Sequence, residues 1–384
     1  MPRTESYLTR RSIKSAGFTL IELLIAMAVF GVIAAAAFGL IAQHQPLFNQ
    51  QQIQAALNIS MRNSVAQMQT DIVNGGAGYI SAVNTPNWPV GVVITNTVVS
   101  STQDCHTGTT YAASCFDQFT VIAADLATPP VNPLASGSTT GALPVVAGSC
   151  NSTTLNTSSS TTIYVLPPAT FTATTFAAQF LNGDQILLVK SSGLSYTTVR
   201  LTSAPTTTVV NGQTYVVLTH SVMTAANGTN TLADDETNMS VNSTAQTTAQ
   251  FCAADYVIRL LPVIYYVDIT TDSSNPTLRR LVLKGTASAI TSPGSGVALA
   301  NQIIGFKVGA SLVSSNTNTY NFDASTFGAG YDYTQVRSVM ISLVGRTPPI
   351  QDPTYKFRNT FDGGPYQIQG VSVVINPRNM SSLP

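Results

Sequence analysis

A single carboxylate, Glu22, lies inside a long apolar segment near the start of the chain. From Phe18 to Ala42 all residues except Thr19 and Glu22 are apolar or glycine. A charge near the middle of a bilayer costs roughly 3 kcal/mol or more unless a partner neutralises it. The chemistry that suits this position is therefore ion pairing in a low dielectric, with an ammonium group as the partner.

The other candidate chemical groups form no catalytic pattern. The three histidines, His44, His106 and His220, lie in no Ser-His-Asp or Cys-His setting, and the sequence has no GxSxG, P-loop or Rossmann glycine motif. Asp234, Asp235 and Glu236 could supply oxygen ligands to Ca²⁺, but their spacing matches no EF-hand loop, so we predict a solvated turn. We predict a protein that is not an enzyme and that needs no cofactor.

Four cysteines, Cys105, Cys115, Cys150 and Cys252, allow three disulfide connectivities. Their spacing favours Cys105–Cys115, which would leave Cys150–Cys252 as a long-range bridge. The Cys105-His106 pair lacks a CxxC or HxxxH partner, so we predict no metal site there. Oxidised pairs are the expectation if this part of the chain lies outside the cytoplasm.

Charged residues make up only 9% of the 384 residues, against about a quarter in ordinary soluble domains. A polar but weakly charged surface suits an exported or assembly-forming protein. Residues 1–17 carry a net charge of +3 and the rest of the chain −3, which argues against a general nucleic-acid role. Arg279, Arg280 and Lys284 form one local basic group, which we interpret as an exposed strand edge and not as a phosphate site.

The apolar run is about 25 residues long, enough to span a bilayer as a helix. The basic flank predicts that residues 1–17 stay cytoplasmic, that residues 18–42 cross a membrane once, and that the chain beyond is exported. No cleavage box follows the apolar run, as it would after a secretory signal peptide. The candidate processing site instead lies before it, between Gly17 and Phe18.

The stretch Gly17-Phe18-Thr19-Leu20-Ile21-Glu22 resembles the N-terminal signal of type IV pilins and type II secretion pseudopilins. The resemblance implies that a prepilin peptidase cuts between Gly17 and Phe18 and methylates the new amine of Phe18. It also implies that Glu22 pairs with the terminal amine of a neighbouring subunit during filament assembly. The alternative is an intramolecular partner, either the Phe18 amine or the Thr19 hydroxyl.

A helical period continues beyond the membrane-length segment, into residues 43–75. Apolar residues recur at steps of three and four and predict an amphipathic helix with one apolar seam: Ile53, Leu57, Met61, Val65, Met68 and Ile72. Pro46 would kink or briefly interrupt the helix, and Gly75-Gly76 would end it.

After residue 76 short β-rich runs separated by Pro, Gly, Asn and Ser predict a mostly antiparallel head over residues 76–384. The predicted fold is therefore α+β, a long N-terminal helix on an antiparallel head, with residues 96–250 as a Ser/Thr-rich insertion. The predicted strands are 90–95, 119–123, 162–166, 185–190, 197–201, 215–219, 257–267, 277–283, 303–308, 336–344 and 369–375.

Residues 251–384 also resemble the C-terminal half of minor pilins and pseudopilins of the PilW and GspJ types. The pieces that carry this resemblance are VIYYVDI, TLRRLVLKG, ALANQIIGFKV and VRSVMISLVGR, with a closing strand that ends near Asn376-Pro377. The insertion is larger than the resemblance implies.

Three hypotheses follow. The first is a minor pilin or pseudopilin, located at or near the tip of a type IV pilus or a type II secretion pseudopilus, that helps to initiate assembly with other pilins. The second is a tip adhesin whose insertion binds a surface ligand. The third is a membrane-tethered exported enzyme, which would need an acid, base or nucleophile cluster.

Overall fold

A computed structural model describes most of the chain beyond the basic N-terminal segment. The described residues are 19–78, 91–95, 106–107, 110–111, 116–134, 155–156, 162–189, 196–210, 212–220, 250–251, 255–285, 294–312, 336–350, 356–360 and 363–377. By its internal contacts the chain divides into two compact units, Met1–Ala55 and Ala56–Pro384.

One long helix, α1 (Leu20–Val73), contributes to both units. It ends where predicted: Gly75 donates its N–H to the carbonyl of Ile72, and Gly76 adopts a φ of 72°, which favours glycine. The helical assignment runs through Pro46 without a break, so the predicted brief interruption is wrong.

The buried face of α1 confirms most of the predicted seam. Leu57, Met61, Val65, Met68 and Ile72 are buried in the second unit, as their spacing predicts. Ile53, in the first unit, is 42% exposed, so the seam begins later than expected.

The other helices and strands within the described residues are eighteen strands and one short helix, α2 (Ala173–Ala177). The strands, in chain order, are β1 (Val92–Thr95), β2 (His106–Thr107), β3 (Thr110–Tyr111), β4 (Gln118–Ala124), β5 (Pro133–Leu134), β6 (Leu155–Asn156), β7 (Thr162–Val165), β8 (Gln185–Val189), β9 (Tyr196–Arg200), β10 (Thr206–Val210), β11 (Gln213–Thr219), β12 (Gln250–Phe251), β13 (Tyr256–Asp268), β14 (Thr277–Val282), β15 (Val297–Ala300), β16 (Ile303–Leu312), β17 (Val336–Arg346) and β18 (Ile368–Ile375). Every predicted strand is present, and the pairings between named strands are antiparallel.

The main core of the second unit lies between α1 and two sheets. One, the main sheet, has the order β1-β4-β13-β14-β15, with β8 and β9 joined to it through β13, and the other has the order β16-β17-β18. Their apolar side chains and the helix seam form one continuous cluster that includes Phe119, Tyr265 and Phe306. The rings of Phe119 and Tyr265 stack with their centroids 4.8 Å apart.

A second apolar cluster packs α2 against strands β7, β8, β9 and β11, together with part of β13. Phe176 of α2 is fully buried there. The strand β13 joins the two clusters, because its first residues pair with β8 while the later ones pair with β4 and β14. Most of this second cluster falls inside the predicted insertion, whose limits at residues 96 and 250 stay a prediction.

Candidate functional site

The N-terminus of α1 holds Glu22 in a reciprocal cap with Thr19. The backbone N–H of Thr19 donates to Oε2 of Glu22 at 3.0 Å, and the Thr19 hydroxyl lies 2.9 Å from the same oxygen. In return the backbone N–H of Glu22 lies 3.4 Å from Oγ1 of Thr19. This is the capping box of a helix whose first residue is Leu20, formed by threonine and glutamate three residues apart.

The intramolecular alternative proposed for Glu22 is therefore present, through Thr19. A carboxylate in the first turn also interacts favourably with the helix dipole. The sequence places Glu22 where it stabilises the start of α1 while its charge remains at the edge of an apolar segment.

The first half of α1 exposes nearly all of its large apolar side chains. Leu20, Phe30 and Phe38 are among those that are more than two-thirds exposed within the described structure. The helix is long and apolar enough, by length and composition, to cross a membrane. An apolar surface of this extent needs lipid or other protein to cover it.

Several predicted site residues lie outside the described residues. They are Gly17 and Phe18 at the processing site, the four cysteines Cys105, Cys115, Cys150 and Cys252, and the acidic group Asp234, Asp235 and Glu236. Cleavage, disulfide pairing and the solvated turn at the acidic group stay predictions. Of the histidines, His44 is exposed on α1, His106 lies in β2, and His220 is buried beside Leu201.

At the other end of α1 an ion pair fixes the helix to the main sheet. Nε of Arg280 donates to Oδ2 of Asp71 at 2.7 Å, and the Tyr265 hydroxyl donates to the same oxygen at 2.5 Å. Burial, reinforced by the hydrogen bond to Asp71, raises the pKa of Tyr265 far above its usual range. Burial would lower the pKa of Arg280, but the bond to Asp71 and its charge outweigh burial and raise it.

The basic group Arg279, Arg280 and Lys284 is not an exposed strand edge, which corrects the sequence interpretation. The arginines lie in β14, between β13 and β15, and each pairs with an acid. Nε of Arg279 donates to Oδ2 of Asp268 at 2.9 Å, whereas Lys284 is exposed. The acidic partners are Asp71 of α1 and Asp268 of β13. Because the partner on α1 is distant along the chain, the local group of basic residues did not reveal this pairing.

A buried ion triad that sequence reasoning missed lies where the two apolar clusters meet. Arg259 of β13 is 4% exposed; its Nη1 donates to Oδ2 of Asp125 at 2.7 Å, and its Nε lies 2.8 Å from Oδ2 of Asp184. Asp184 also accepts the backbone N–H groups of Leu181 and Gly285, each at 2.7 Å. The signal that could have found it is a lone arginine in the apolar run of β13, which predicts a buried acidic partner.

A second buried arginine, Arg346 at the end of β17, lies between two aromatic rings. Its guanidinium carbon is 5.1 Å from the ring centre of Tyr111 and 4.8 Å from that of Tyr366. It also donates to Gln302 at 2.6 Å and to the carbonyl of Ser274 at 2.7 Å. Arg346 thus ties four separate segments together by stacking and hydrogen bonding.

These buried charges form structural links in which each acid is matched by donors. Within the described ranges no group of three or more His, Cys, Asp or Glu side chains is placed to hold a metal ion. The arrangement that carries functional meaning is therefore the capped Glu22 at the start of an apolar helix.

Comparison with known protein families gives a match at the same segment of the chain. The prokaryotic N-terminal methylation motif matches residues 13–38, which include Gly17, Phe18, Thr19 and Glu22. A type IV-like pilin from Thermus thermophilus resembles the structure over 54% of this chain and 94% of its own, with 12% identity and a TM-score of 0.19. No curated protein sequence matches the chain.

The methylation motif on a long apolar helix, followed by antiparallel β-sheets, defines a type IV pilin-like protein. The predicted α+β class is confirmed, and so is the prepilin-type N-terminus. The motif implies processing by a prepilin peptidase and assembly with other pilins or pseudopilins. It also fits a protein anchored in the inner membrane with an exported head.

Proposed function

We propose that the chain is a minor pilin or pseudopilin that enters the filament at or near its tip and helps to initiate assembly. The observation that carries the proposal is Glu22, a lone acid in an apolar helix within the methylation motif. Cleavage between Gly17 and Phe18 would create an ammonium group at Phe18, which is then methylated. Phe18 and Glu22 are the charged pair of the assembly step.

The pairing between subunits follows from electrostatics. A carboxylate and an ammonium that are both removed from water attract strongly, while either one left alone is costly. Docking that brings the Phe18 amine of one subunit to Glu22 of its neighbour is favoured over other positions along the helix. Glu22 therefore sets the axial register of assembly.

The size of the head supports the proposal that the subunit is present in few copies near the tip of the filament. The second unit carries two apolar clusters, one built on α1 and one on α2. A head of this size on every subunit of a shaft would crowd its neighbours. The retained Glu22 means that the subunit docks onto another, so we place it near the tip and not at its outermost point.

Replacing Glu22 tests the proposal. Glu22→Ala should leave the subunit in the membrane and reduce its incorporation into sheared filaments at least tenfold, with a parallel loss of piliation or secretion. Glu22→Asp keeps the charge and should retain part of the incorporation. Normal filaments from the Glu22→Ala variant would overturn the assembly role.

The processing step has its own measurement. Mass spectrometry of the purified subunit should find N-methylated Phe18 at the amino terminus. A chain that still begins at Met1, or one trimmed beyond Ala42, would contradict the proposed maturation.

A binding role at the tip is the second candidate function, and the second apolar cluster favours it. That cluster gives the insertion a core around Phe176, to which Val257 of β13 also contributes. Removing residues 96–250 would not test this cleanly, because β4 and Phe119 lie in that range and belong to the main core. Replacing residues 221–249 by a Gly-Ser segment of equal length is the better change: it should spare assembly and reduce attachment to surfaces if this stretch binds a ligand.

A further inference from the structure

We infer that the outer edge of β18 pairs with an extended, uncharged segment of another pilin or pseudopilin, which continues the sheet β16-β17-β18 across the boundary between subunits. This inference rests on the proposed role as a filament subunit and adds a contact in the head to the one at Glu22. Strand β18 pairs with β17 on one side, and within the described ranges no strand pairs with its other side. An edge of this kind is a template for the addition of a strand.

The sequence of β18 lacks the features that usually protect a sheet edge. Its eight residues, IQGVSVVI, include no charge and no proline, and its register against β17 runs without a bulge. Other outer strands within the described residues are shorter or interrupted. Strand β10 has five residues, β15 has four and a shifted register, and β16 carries Lys307 and two register shifts. Among the described outer strands, β18 is therefore the longest regular one without a charge.

The backbone groups of β18 alternate in direction. The N–H of Thr347 donates to the carbonyl of Gln367, and the register then continues unbroken along β18. Alternate residues of an antiparallel ladder bond to the partner strand, so the even-numbered residues of β18 direct their N–H and carbonyl groups away from β17. These residues are Ile368, Gly370, Ser372 and Val374. The last three are also the exposed residues of β18, and each of the four offers one donor and one acceptor to an incoming strand.

The side chains of β18 indicate what kind of segment fits. Val371 and Val373 pack against the main core but are only half-buried, so apolar residues at alternate positions of an added strand would complete the cover of that core. The opposite face carries Gly370 and Ser372, whose hydroxyl lies 2.9 Å from that of Ser342. Because β18 has no charged side chain to pair with, an uncharged segment is favoured.

The position of β18 connects this edge with the helix that carries the methylation motif. Gly345 of β17, which is opposite Gln369 of β18, lies against Leu57 and Met61 of α1. The beginning of β18 is therefore one strand away from the helix whose motif implies assembly with other pilins. Because the subunit is proposed to be present in few copies, its neighbour along α1 is a different pilin or pseudopilin.

A lysine at the edge tests the inference. Val374→Lys places a charge where the added strand would pair, and we expect it to lower incorporation into sheared filaments about fivefold at equal membrane levels. Val209→Lys, at an exposed position of the outer strand β10, is the matched control and should stay within about twofold of the natural protein. Both side chains are exposed, so the thermal midpoints of the two variants should equal that of the natural protein.

Crosslinking supplies a second readout that does not depend on a loss. Benzoylphenylalanine in place of Ser372, illuminated in sheared filaments, should form an adduct with a peptide of another pilin or pseudopilin, identified by mass spectrometry. Normal incorporation of Val374→Lys, or adducts confined to this chain and its copies, would overturn the inference. If the natural subunit is absent from the filaments, the proposed function fails as well. If Glu22→Ala is excluded while Val374→Lys enters normally, the proposed function stands and the edge pairing fails.

Discussion

The guanidinium of Arg259 lies between two buried carboxylates, with Nε 2.8 Å from Oδ2 of Asp184 and Nη1 2.7 Å from Oδ2 of Asp125. The two acids come from different parts of the fold, since Asp125 follows β4 of the main sheet and Asp184 precedes β8. One side chain of β13 therefore holds together the region where the two apolar clusters meet.

Removing this cation should be among the most damaging single changes in the head. Arg259→Met keeps the apolar stem but leaves two buried carboxylates without their counter-ion, a situation that costs about 4 kcal/mol. Urea unfolding of the full chain in detergent, followed by tryptophan and tyrosine fluorescence, measures the loss. Arg337→Met, on an exposed side chain of β17, is the matched control and should change stability by less than about 0.5 kcal/mol. Equal stability of the two variants would contradict a structural role for the triad.

Helix α1 packs closely against Gly345 of β17, in the sheet β16-β17-β18. A Cβ atom there would lie 2.8 Å from Sδ of Met61 and 3.0 Å from Cδ1 of Leu57, both on α1. Gly345→Ala should therefore destabilise the protein by about 2 kcal/mol through overpacking. Gly370→Ala, in the neighbouring strand, meets only a carbonyl oxygen at 3.8 Å and should have little effect.

The thermal midpoint of each glycine variant, measured in the same detergent, provides the comparison. Met61→Ala alone should be destabilising because Met61 is buried, but Gly345→Ala should cost less in the Met61→Ala background than in the natural protein, since that background has space for the new methyl group. Failure of Met61→Ala to reduce the penalty would show that the contact is not its cause.

Asp268 should give the head an acid-dependent stability. Burial alone would raise its pKa, but hydrogen bonds from Thr271 and Thr270 outweigh burial and hold the pKa below its usual value. Because the pKa of Asp268 is lower in the folded protein than in the unfolded chain, its ionised carboxylate stabilises the fold. This stabilisation is complete above the unfolded pKa of about 3.9 and is lost as the pH falls from there toward the folded pKa. Asp268→Asn should cost about 2 kcal/mol at pH 7 and progressively less in acid.

Urea unfolding at a series of pH values from 7 to 3 tests this prediction. The stability curves of the natural protein and of Asp268→Asn should converge as the pH falls below 4. Parallel curves over that range would mean that Asp268 does not supply the pH dependence. Asp272→Asn, at an exposed acid in the same turn, is the control and should show a smaller difference.

Tyr265 should resist ionisation at alkaline pH. Its raised pKa, caused by burial and by the hydrogen bond to Asp71, keeps the phenol protonated while exposed tyrosines lose their protons near pH 10. The unfolded chain releases this proton more easily, so stability falls as the pH rises above 10. Tyr265→Phe should flatten that alkaline decline and lose about 1 kcal/mol near pH 7.

Absorbance at 295 nm against pH reports the tyrosine titration directly. One tyrosine fewer should remain protonated above pH 11 in the folded Tyr265→Phe protein than in the natural one. An unchanged number would show that Tyr265 titrates with the exposed residues.

The sequence predicted the elements better than the contacts between them. Helical spacing located the buried face of α1 from Leu57 to Ile72, and β-branched runs located each of the longer strands. The strand β10 was missed because its Thr-rich run resembles the surrounding loops, and pairing with β11 supplies what local preference does not.

The buried ion pairs could not be predicted because their partners are far apart along the chain. Asp125 and Arg259 are separated by 134 residues, and Asp71 and Arg280 by 209. A charged residue in an apolar strand signals that some partner exists, but only the tertiary fold identifies it. The capping box differs in this respect, since Thr19 and Glu22 are three residues apart and their pairing is local.

The first four residues of strand β13 pair with β8, and all of its remaining residues pair with β4, with β14 or with both. A pull along the chain on either cluster would load several backbone hydrogen bonds of this single strand at once, in shear, before the clusters could separate. The hydrogen bonds of this one strand would therefore resist a force applied to the head. In a protein whose two domains are joined by a flexible linker, the same force would extend the linker first.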